Sequence, residues 1–338
     1  MVKPISFSEY PTVSVIIPCL NEQRFIAHCL GAITYSDYPK EKLEILVVDG
    51  MSKDGTREII QQYEKEYPFI KLVDNPQKIT PIAMNLGIQK ATGQVIMVMG
   101  AHAVYEKDYI TKCIKYLYAY DADNIGGVML TKPSAKSLIA QGIALTMSSQ
   151  FGVGNSIFRT GSTSVREVDT VFGGCYKRDV FDKIGLFNEQ LIRSQDMELN
   201  VRLKKAGGKI LLHPDIKCYY YARSTLKEFV KHVFKDGQWA IYPLKFGSSL
   251  FYPRHMVPLL FVSTLITLLI LALFSDLFGL AFFILLFIYI FASTFFGIRI
   301  ALAERDFHLL YLMPLLFGIR HFVYGFGSLF AIFKIIFR

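Results

Sequence analysis

The sequence predicts an α/β fold built on a parallel sheet, followed by a membrane-embedded tail. Three observations carry that expectation. Residues 43–48, Leu-Glu-Ile-Leu-Val-Val, are apolar at five of six positions and stop abruptly at Asp49. That is the pattern of a strand buried on both faces, as parallel strands are. Similar short apolar runs at 13–18, 69–73 and 94–99 alternate with helical patterns, the order of successive βα units. Between residues 256 and 298 the only charged residue is Asp276, which leaves room for two runs of the ~18 or more apolar residues that cross a bilayer.

The first strand, 13–18, ends on Pro18, which has no N–H to donate to a ladder. Cys19-Leu-Asn-Glu forms the turn, and residues 24–33 carry apolar side chains at helical spacing. Glu22 suits the first turn of that helix, where the dipole favours an acid. It suits a ligand contact equally, because it leaves the same sheet edge as Asp49. Ligands of open α/β sheets lie beyond the carboxyl ends of the strands. Asp49, an acceptor-only group when ionised, can grip N–H or hydroxyl donors there. The alternative is that Asp49 and Asp54 only cap the loop and the helix that follows. After the strand at 69–73, Thr80-Pro81 announces a helix over 82–91, cap first and proline at the first helical position. The strand at 94–99 follows Thr92-Gly93. No Gly-x-Gly-x-x-Gly and no Gly-Lys-Ser/Thr loop follows any strand, which disfavours a dinucleotide dehydrogenase or a P-loop enzyme. A nucleotide-binding sheet of another kind remains.

The chain of 338 residues is 52% hydrophobic with 28 Phe, too apolar for an ordinary soluble protein, and the excess lies at the C-terminal end. The expected division is a cytoplasmic domain over 1–222, an amphipathic interface helix and linker over 223–254, and a membrane domain over 255–338. Spans are expected at about 256–274 and 278–298, with a third span or hairpin at about 308–334. Within 224–244, Leu226, Phe229, Val230, Val233 and Phe234 recur at helical spacing with lysines opposite, a helix suited to the membrane interface. Thr225 and Glu228 are spaced as a capping box. Arg320-His321 falls at the centre of the third apolar run, where charge is costly, so two half-spans or a hairpin are expected. Basic residues precede the first span (Lys227, Lys231, Lys235, Arg254) and follow the second (Arg299, Arg305), which places both ends on the cytoplasmic side. Residues 1–6 show no apolar signal core, in keeping with a cytoplasmic domain. Net charge +9 fits an anionic membrane surface, and no nucleic-acid motif is present. Cys19, Cys29, Cys113, Cys175 and Cys218 have no metal-type spacing and read as free thiols.

Several stretches, in the right order, resemble the family 2 glycosyltransferases of the GT-A fold, and within them the branch that builds bacterial exopolysaccharides such as succinoglycan. They are 13–22, 47–56, 74–95, Gly100-Ala-His-Ala-Val-Tyr-Glu-Lys-Asp-Tyr, Val171-Phe-Gly-Gly-Cys-Tyr-Lys-Arg, and Asp196-Met-Glu-Leu-Asn-Val-Arg-Leu. The membrane tail with His321, Tyr324, Gly325 and Gly327 adds to them. The resemblance implies a GT-A-type nucleotide-binding sheet with flanking helices, then an interfacial helix and transmembrane helices. It implies that Pro18, Glu22 and Asp49 hold the base and ribose of a nucleotide-sugar donor, with Asn85 at the pocket floor. Gly173 and Gly174 correspond to the family's acceptor-side loop, and glycines there let backbone approach a sugar closely. Asp196 falls where the family carries its general base, just ahead of a helix expected over 197–206, and Glu198 would orient the acceptor or a neighbouring arginine. Gln238 and Trp239 stand near the family's acceptor channel, with Lys235 and Gln238 in place of arginines.

The departure is at the end of the fourth strand. The family places Asp-x-Asp or Asp-x-His there to hold a divalent metal, Mn²⁺ or Mg²⁺, against the leaving diphosphate. This chain has Gly100 in place of the first aspartate and keeps His102. A hard ion prefers oxygen ligands, and Mn²⁺ accepts an imidazole better than Mg²⁺ does. Arg193 or Lys235 could neutralise the diphosphate instead. The expected function is an inverting glycosyltransferase moving a sugar from a UDP-linked donor to a hydroxyl of a lipid-linked saccharide. The rival readings are a polyprenyl-phosphate sugar transferase and a catalytically impaired binding protein on the same fold.

Overall fold

A computed structural model describes residues 10–247 and 253–337; the expectation for residues 1–6 lies outside them. The chain divides into two units. The first comprises residues up to Leu130 together with Gly161–Tyr220, and the second Thr131–Thr160 with Tyr221 onwards.

In the first unit, β1 (Val13–Cys19), α1 (Ile26–Thr34), β2 (Leu43–Asp49), α2 (Thr56–Glu66), β3 (Ile70–Asp74), α3 (Thr80–Lys90) and β4 (Val95–Val98) alternate strand and helix. The strands pair in parallel in the order β3-β2-β1-β4. All of β4 and all of β1 except Pro18 are buried, as strands covered on both faces must be. Pro18 does not end β1; it stays in register opposite Val48. The partner on the other side, β4, pairs only as far as Ile16, so an absent N–H at Pro18 costs no ladder bond there.

The chain continues through β5 (Ala103–Tyr105), α4 (Tyr109–Ala119) and β6 (Asn124–Pro133). Three helices of the second unit follow: α5 (Leu138–Ser148), α6 (Gln150–Val153) and α7 (Ile157–Thr160). The first unit resumes with β7 (Arg166–Glu167), β8 (Cys175–Lys177), α8 (Asp179–Ile184), α9 (Gln195–Lys205) and β9 (Ile210–Ala222). These later strands extend the sheet in the order β4-β8-β6-β9-β5, with β7 on β9; the β4–β8 and β8–β6 pairs are antiparallel. The carboxyl ends of three parallel strands are level: Cys19 pairs with Asp49, and Asp49 with Asp74. All five cysteines are free and buried.

The second unit is a helix bundle of α5–α7 with α10 (Leu226–Ile241), α11 (Val257–Leu271), α12 (Asp276–Glu304), α13 (Leu309–Gly318) and α14 (Tyr324–Ile336). Among the described residues, three runs are long and apolar enough to cross a membrane: Pro253–Leu271, Asp276–Glu304 and Leu309–Ile336. The third differs from the expected pair of half-spans. It is one helical run that contains Pro314 and passes through a π-helical turn at Ile319–Val323. The break is unnecessary because Arg320 and His321 find partners within the bundle: Arg320 reaches Asp236 and the Gly152 carbonyl, and His321 reaches the Phe151 carbonyl and Tyr289.

The amphipathic helix, expected at a membrane interface, packs within the bundle. Thr225 caps α10 by accepting from the Glu228 N–H at 3.3 Å, and its hydroxyl donates to the Glu228 carboxylate at 3.0 Å. Its apolar face packs along α14, where a Cβ on Gly237 would meet the Tyr324 carbonyl and one on Gly327 the Phe234 carbonyl. Ser328 donates to the Gly237 carbonyl at 2.9 Å. Small residues that let two helix backbones touch are the usual means of helix association in lipid. Residues 131–160, assigned by sequence to the cytoplasmic domain, join this bundle because α5 is apolar. Its Gly142 lies against Leu312 and Leu316 of α13.

Candidate active site

The site is built at the carboxyl edge of the parallel strands, where the loops after β1 and β2 are stitched together. The Asn21 N–H donates to Ser52 Oγ at 2.8 Å, and the Lys53 N–H returns a bond to Asn21 Oδ1 at 3.0 Å. The Glu22 N–H donates to Thr56 Oγ1 at 2.8 Å, and Thr56 Oγ1 donates to Asp54 Oδ1 at 2.5 Å. Asp54 is therefore a loop brace, as its bland reading had it. Asn21 and Met51 adopt left-handed backbone, which lets the two turns fold back on each other.

Asp49 sits at the floor of this edge, fully buried. Its Oδ2 accepts from the Ser52 N–H at 2.9 Å and from Arg57 Nη1 at 2.8 Å. Its Oδ1 accepts from the Ser52 hydroxyl and from the Cys19 thiol, the latter at 3.6 Å. A carboxylate has about four acceptor positions, and here all are taken. The other arm of Arg57 binds Asp74 Oδ1 at 2.8 Å, so one guanidinium bridges two strand-end carboxylates. Burial would raise the Asp49 pKa, but the bonds from Ser52 and Arg57 outweigh it and hold the carboxyl below its ordinary value. Burial and the Asp49 charge push the Cys19 thiol up. A ligand N–H can reach Asp49 only by displacing a donor, and Arg57, 23% exposed, is the one at the surface.

Glu22 and His102 meet across the edge, Oε1 to Nε2, at 2.8 Å, with the Phe25 ring edge-on to the imidazole. His102 is thus paired with a carboxylate instead of standing alone. Gly100, just past β4, donates its N–H to the Tyr105 hydroxyl at 2.7 Å. A Cβ there would lie 3.5 Å from Phe172, ordinary contact, so the backbone has room for a side chain. Among the described residues no three His, Cys, Asp or Glu side chains converge as a metal site. One carboxylate and one imidazole closed on each other are too few donors for a resident divalent ion. The residues present do not fit a pre-formed metal centre.

Asn85, expected at the pocket floor, is nearly buried and works as a clamp. Its Nδ2 donates to the Phe187 carbonyl and to Glu189 Oε1, both at 2.9 Å, and its Oδ1 accepts the Phe187 N–H at 2.9 Å. It fixes the loop that leads into α9. That helix begins at Gln195, with Ser194 in left-handed backbone as its N-cap. Asp196 is accordingly the second residue of the helix and not its cap, because Ser194 already turns the chain. Asp196 is half-buried, and its charge bears on the Tyr176 phenol of β8, whose pKa is raised first by burial and then by Asp196. The Tyr176 ring lies against the place a Cβ on Gly174 would occupy. Gly173 has φ +71°, and a Cβ there would strike the Val98 carbonyl of β4. The glycine loop and the end of β4 are thereby brought together, with the Asp196 charge felt at the Tyr176 phenol beside them. Glu198 is committed to an arginine one turn on. It holds Arg202 at 2.7 and 2.9 Å, and Arg202 in turn donates to the Ile184 and Leu186 carbonyls.

Gln238 and Trp239 lie on α10 in the second unit, where Gln238 Nε2 reaches the Tyr242 hydroxyl at 3.5 Å and the Trp239 ring meets Tyr242 edge-on. Sequence reasoning missed Arg57 and Asp74, while Arg202 is a neighbouring arginine of the kind Glu198 was expected to orient. A signal for Arg57 was available: a cation in the first turn of α2 opposes the helix dipole unless a carboxylate faces it.

Residues 14–185, just over half of the chain, match the profile of Glycosyl transferase family 2. The chain is 29% identical to the dolichyl N-acetyl-alpha-D-glucosaminyl phosphate 3-beta-D-2,3-diacetamido-2,3-dideoxy-beta-D-glucuronosyltransferase of Methanococcus voltae, over 93% of this chain and 95% of that protein. It is 28% identical to the succinoglycan biosynthesis protein ExoA of Rhizobium meliloti, over 70% of this chain and 77% of the relative. Among solved structures, the mannosyltransferase PcManGT of Pyrobaculum calidifontis, in complex with GDP-Man and Mn²⁺, superposes with a TM-score of 0.62. The identity is 18%, and the match covers 95% of this chain and 88% of that one. The sheet with its flanking helices is GT-A-like, as the sequence motifs implied.

Proposed function

The chain belongs to Glycosyl transferase family 2, and from that premise we propose that it moves a sugar, with inversion, from a UDP-linked donor to a hydroxyl of a lipid-linked saccharide at the cytoplasmic membrane face. One observation supports the mechanism: Asp196, at the start of α9, bears electrostatically on Tyr176, whose ring lies against Gly174, while Gly173 lies against the end of β4. Asp196 takes the proton of the acceptor hydroxyl as that oxygen attacks the anomeric carbon. The bond from that carbon to the diphosphate oxygen breaks on the opposite face, so configuration inverts and the electron pair leaves with the nucleoside diphosphate. Glu22 and Asp49 at the β1 and β2 edge would seat the nucleoside, Asp49 by exchanging its bond from Arg57 for one from the ligand. Arg193, next to the Ser194 cap, is the basic group nearest in sequence to the base.

The acceptor class rests on two supports. A relative matched over nearly the whole chain is named for a dolichyl-linked sugar phosphate acceptor. The three apolar runs would hold the protein in a bilayer, where such an acceptor resides. The test is transfer by the purified full-length protein from a panel of UDP-sugars to a synthetic polyprenyl-diphosphate saccharide, with the anomeric configuration of the product read by NMR. Retention of configuration, or transfer onto bare polyprenyl phosphate, would overturn the proposal.

A further inference from the structure

Of the bonds that fill Asp49, all but one come from braced groups. The Ser52 N–H and hydroxyl belong to a turn tied to Asn21, and the Cys19 thiol is buried at the end of β1. The backbone is held as well: the Asn75 N–H donates to the Asp49 carbonyl at 2.8 Å, and the Gly50 N–H to the Cys19 carbonyl at 2.9 Å. The remaining bond, from Arg57 Nη1 at 2.8 Å, is carried on a long side chain that reaches the surface. A ligand donor therefore gains Asp49 at the expense of Arg57.

Arg57 need not leave when that bond is given up. Its Nη2 stays on Asp74 Oδ1 at 2.8 Å, and Asp74 is the register partner of Asp49 on the adjacent strand. The guanidinium thus remains beside the oxygen it has released. Guanidinium nitrogens are donors only, so Nη1 is left to donate again. The edge then offers an acceptor, Asp49 Oδ2, next to a donor, Arg57 Nη1.

A base that fills such a pair presents a ring N–H beside a carbonyl. Uracil does so with N3–H and O4, and guanine with N1–H and O6. Cytosine reverses the order, setting an acceptor nitrogen against the carboxylate and an amine against the guanidinium. With uracil the exchange gives up one charge-assisted bond and forms two. With cytosine it leaves charged groups facing their own kind, which costs the pairing of each.

We propose that Arg57 reads the base of the donor: uracil N3–H takes Asp49 Oδ2, and Arg57, tethered through Asp74, turns Nη1 onto O4 of the same ring. This rests on the nucleotide-sugar reading given above. Asp74 is then a positioning residue that keeps Arg57 within reach.

The experiment is calorimetric binding of UDP, CDP and GDP to the full-length protein in detergent, for the wild type, Arg57→Met and Asp74→Ala. Wild type should bind UDP about tenfold or more tighter than CDP. Arg57→Met should weaken UDP by about tenfold or more, the worth of a bond from a charged donor, and move CDP by less than about twofold. Asp74→Ala, at a side chain more than half exposed, is the safer variant for folding and should show the same UDP-only loss at about threefold. An unchanged CDP affinity also shows that the variants fold. Equal weakening of UDP and CDP would make Arg57 a loop support, and tighter UDP binding by Arg57→Met would make it a mere competitor for Asp49. Either result, or equal affinity of the wild type for UDP and CDP, overturns the proposal and leaves the nucleotide-sugar reading standing. A wild type that prefers GDP and loses that preference in Arg57→Met keeps the role of Arg57 and overturns the UDP-linked donor. A wild type that binds none of the three removes the nucleotide reading with the proposal.

Discussion

Arg57→Met strips the strand-end bridge, and the cost can be worked from its two arms. The Asp74 side chain is 57% exposed, so that arm is worth at most ~1 kcal/mol. The Asp49 side chain is fully buried, and a hydrogen bond to a buried charge contributes ~1.5–3 kcal/mol. The larger penalty of ~3–5 kcal/mol for a buried charge left without its partner does not apply in full, because Ser52 still donates twice. The sum is ~1.5–4 kcal/mol, which for a unit of this size lowers Tm by roughly 3–16 °C. The pH dependence has a definite sign. Asp49 has a depressed folded pKa, so it contributes stability above its unfolded pKa of ~3.9 that is lost as pH falls through the folded value. The deficit of the variant should be full at pH 7 and shrink as the pH is lowered below about 4. Differential scanning fluorimetry of the full-length protein across pH reads both, with Asp74→Asn as a comparison expected to cost under ~1 kcal/mol. A loss below ~2 °C at pH 7, or a deficit that persists undiminished in acid, would refute the reasoning.

Three further outcomes test the candidate site. Asp196→Asn should lower kcat by ~10²–10⁴-fold while leaving UDP affinity near wild type, since a base acts on the acceptor proton; single-turnover transfer and calorimetry separate the two. Gly173→Ala should cost ~1–3 kcal/mol and reduce transfer, because its φ of +71° suits glycine and a Cβ would strike the Val98 carbonyl; thermal unfolding and turnover should fall together. Gly100→Asp should be tolerated, because a Cβ meets nothing closer than 3.5 Å, and it should tighten Mn²⁺ binding in the presence of UDP by adding an oxygen donor beside Glu22 and His102; a Mn²⁺ affinity unchanged from wild type by electron paramagnetic resonance would count against that placement.

The central parallel strands were legible because they bury both faces: Val95–Val98 is buried throughout and Leu43–Asp49 everywhere but Glu44, whereas the edge strand Ile70–Asp74 leaves Lys71 and Asp74 exposed. The later strands were not, since β7 and β8 are two and three residues long and take their pairing from the sheet they join. In the site, side-chain type pointed to the right edge but not to the wiring. Asp49 looked like an open acceptor because the sequence shows a cation out of place in the first turn of α2 but not which carboxylate it meets, and Arg57 reaches back eight residues to Asp49. Asn85 looked like a pocket floor, yet its amide is committed to Phe187, 102 residues away.

The same limit explains the tail. Arg320-His321 in an apolar run argues for a break only while its partners are unknown. Asp236 lies 84 residues earlier on a helix that looked complete as an interface element, and Phe151 and Gly152 belong to a segment that looked like part of the soluble domain. A hydropathy pattern records how apolar a stretch is, but not whether a charge within it is met. Once Asp236 and the two carbonyls are in place, the helix can continue through its π-helical turn, and the cost of the charge becomes the means by which α6, α10 and the third run are held together.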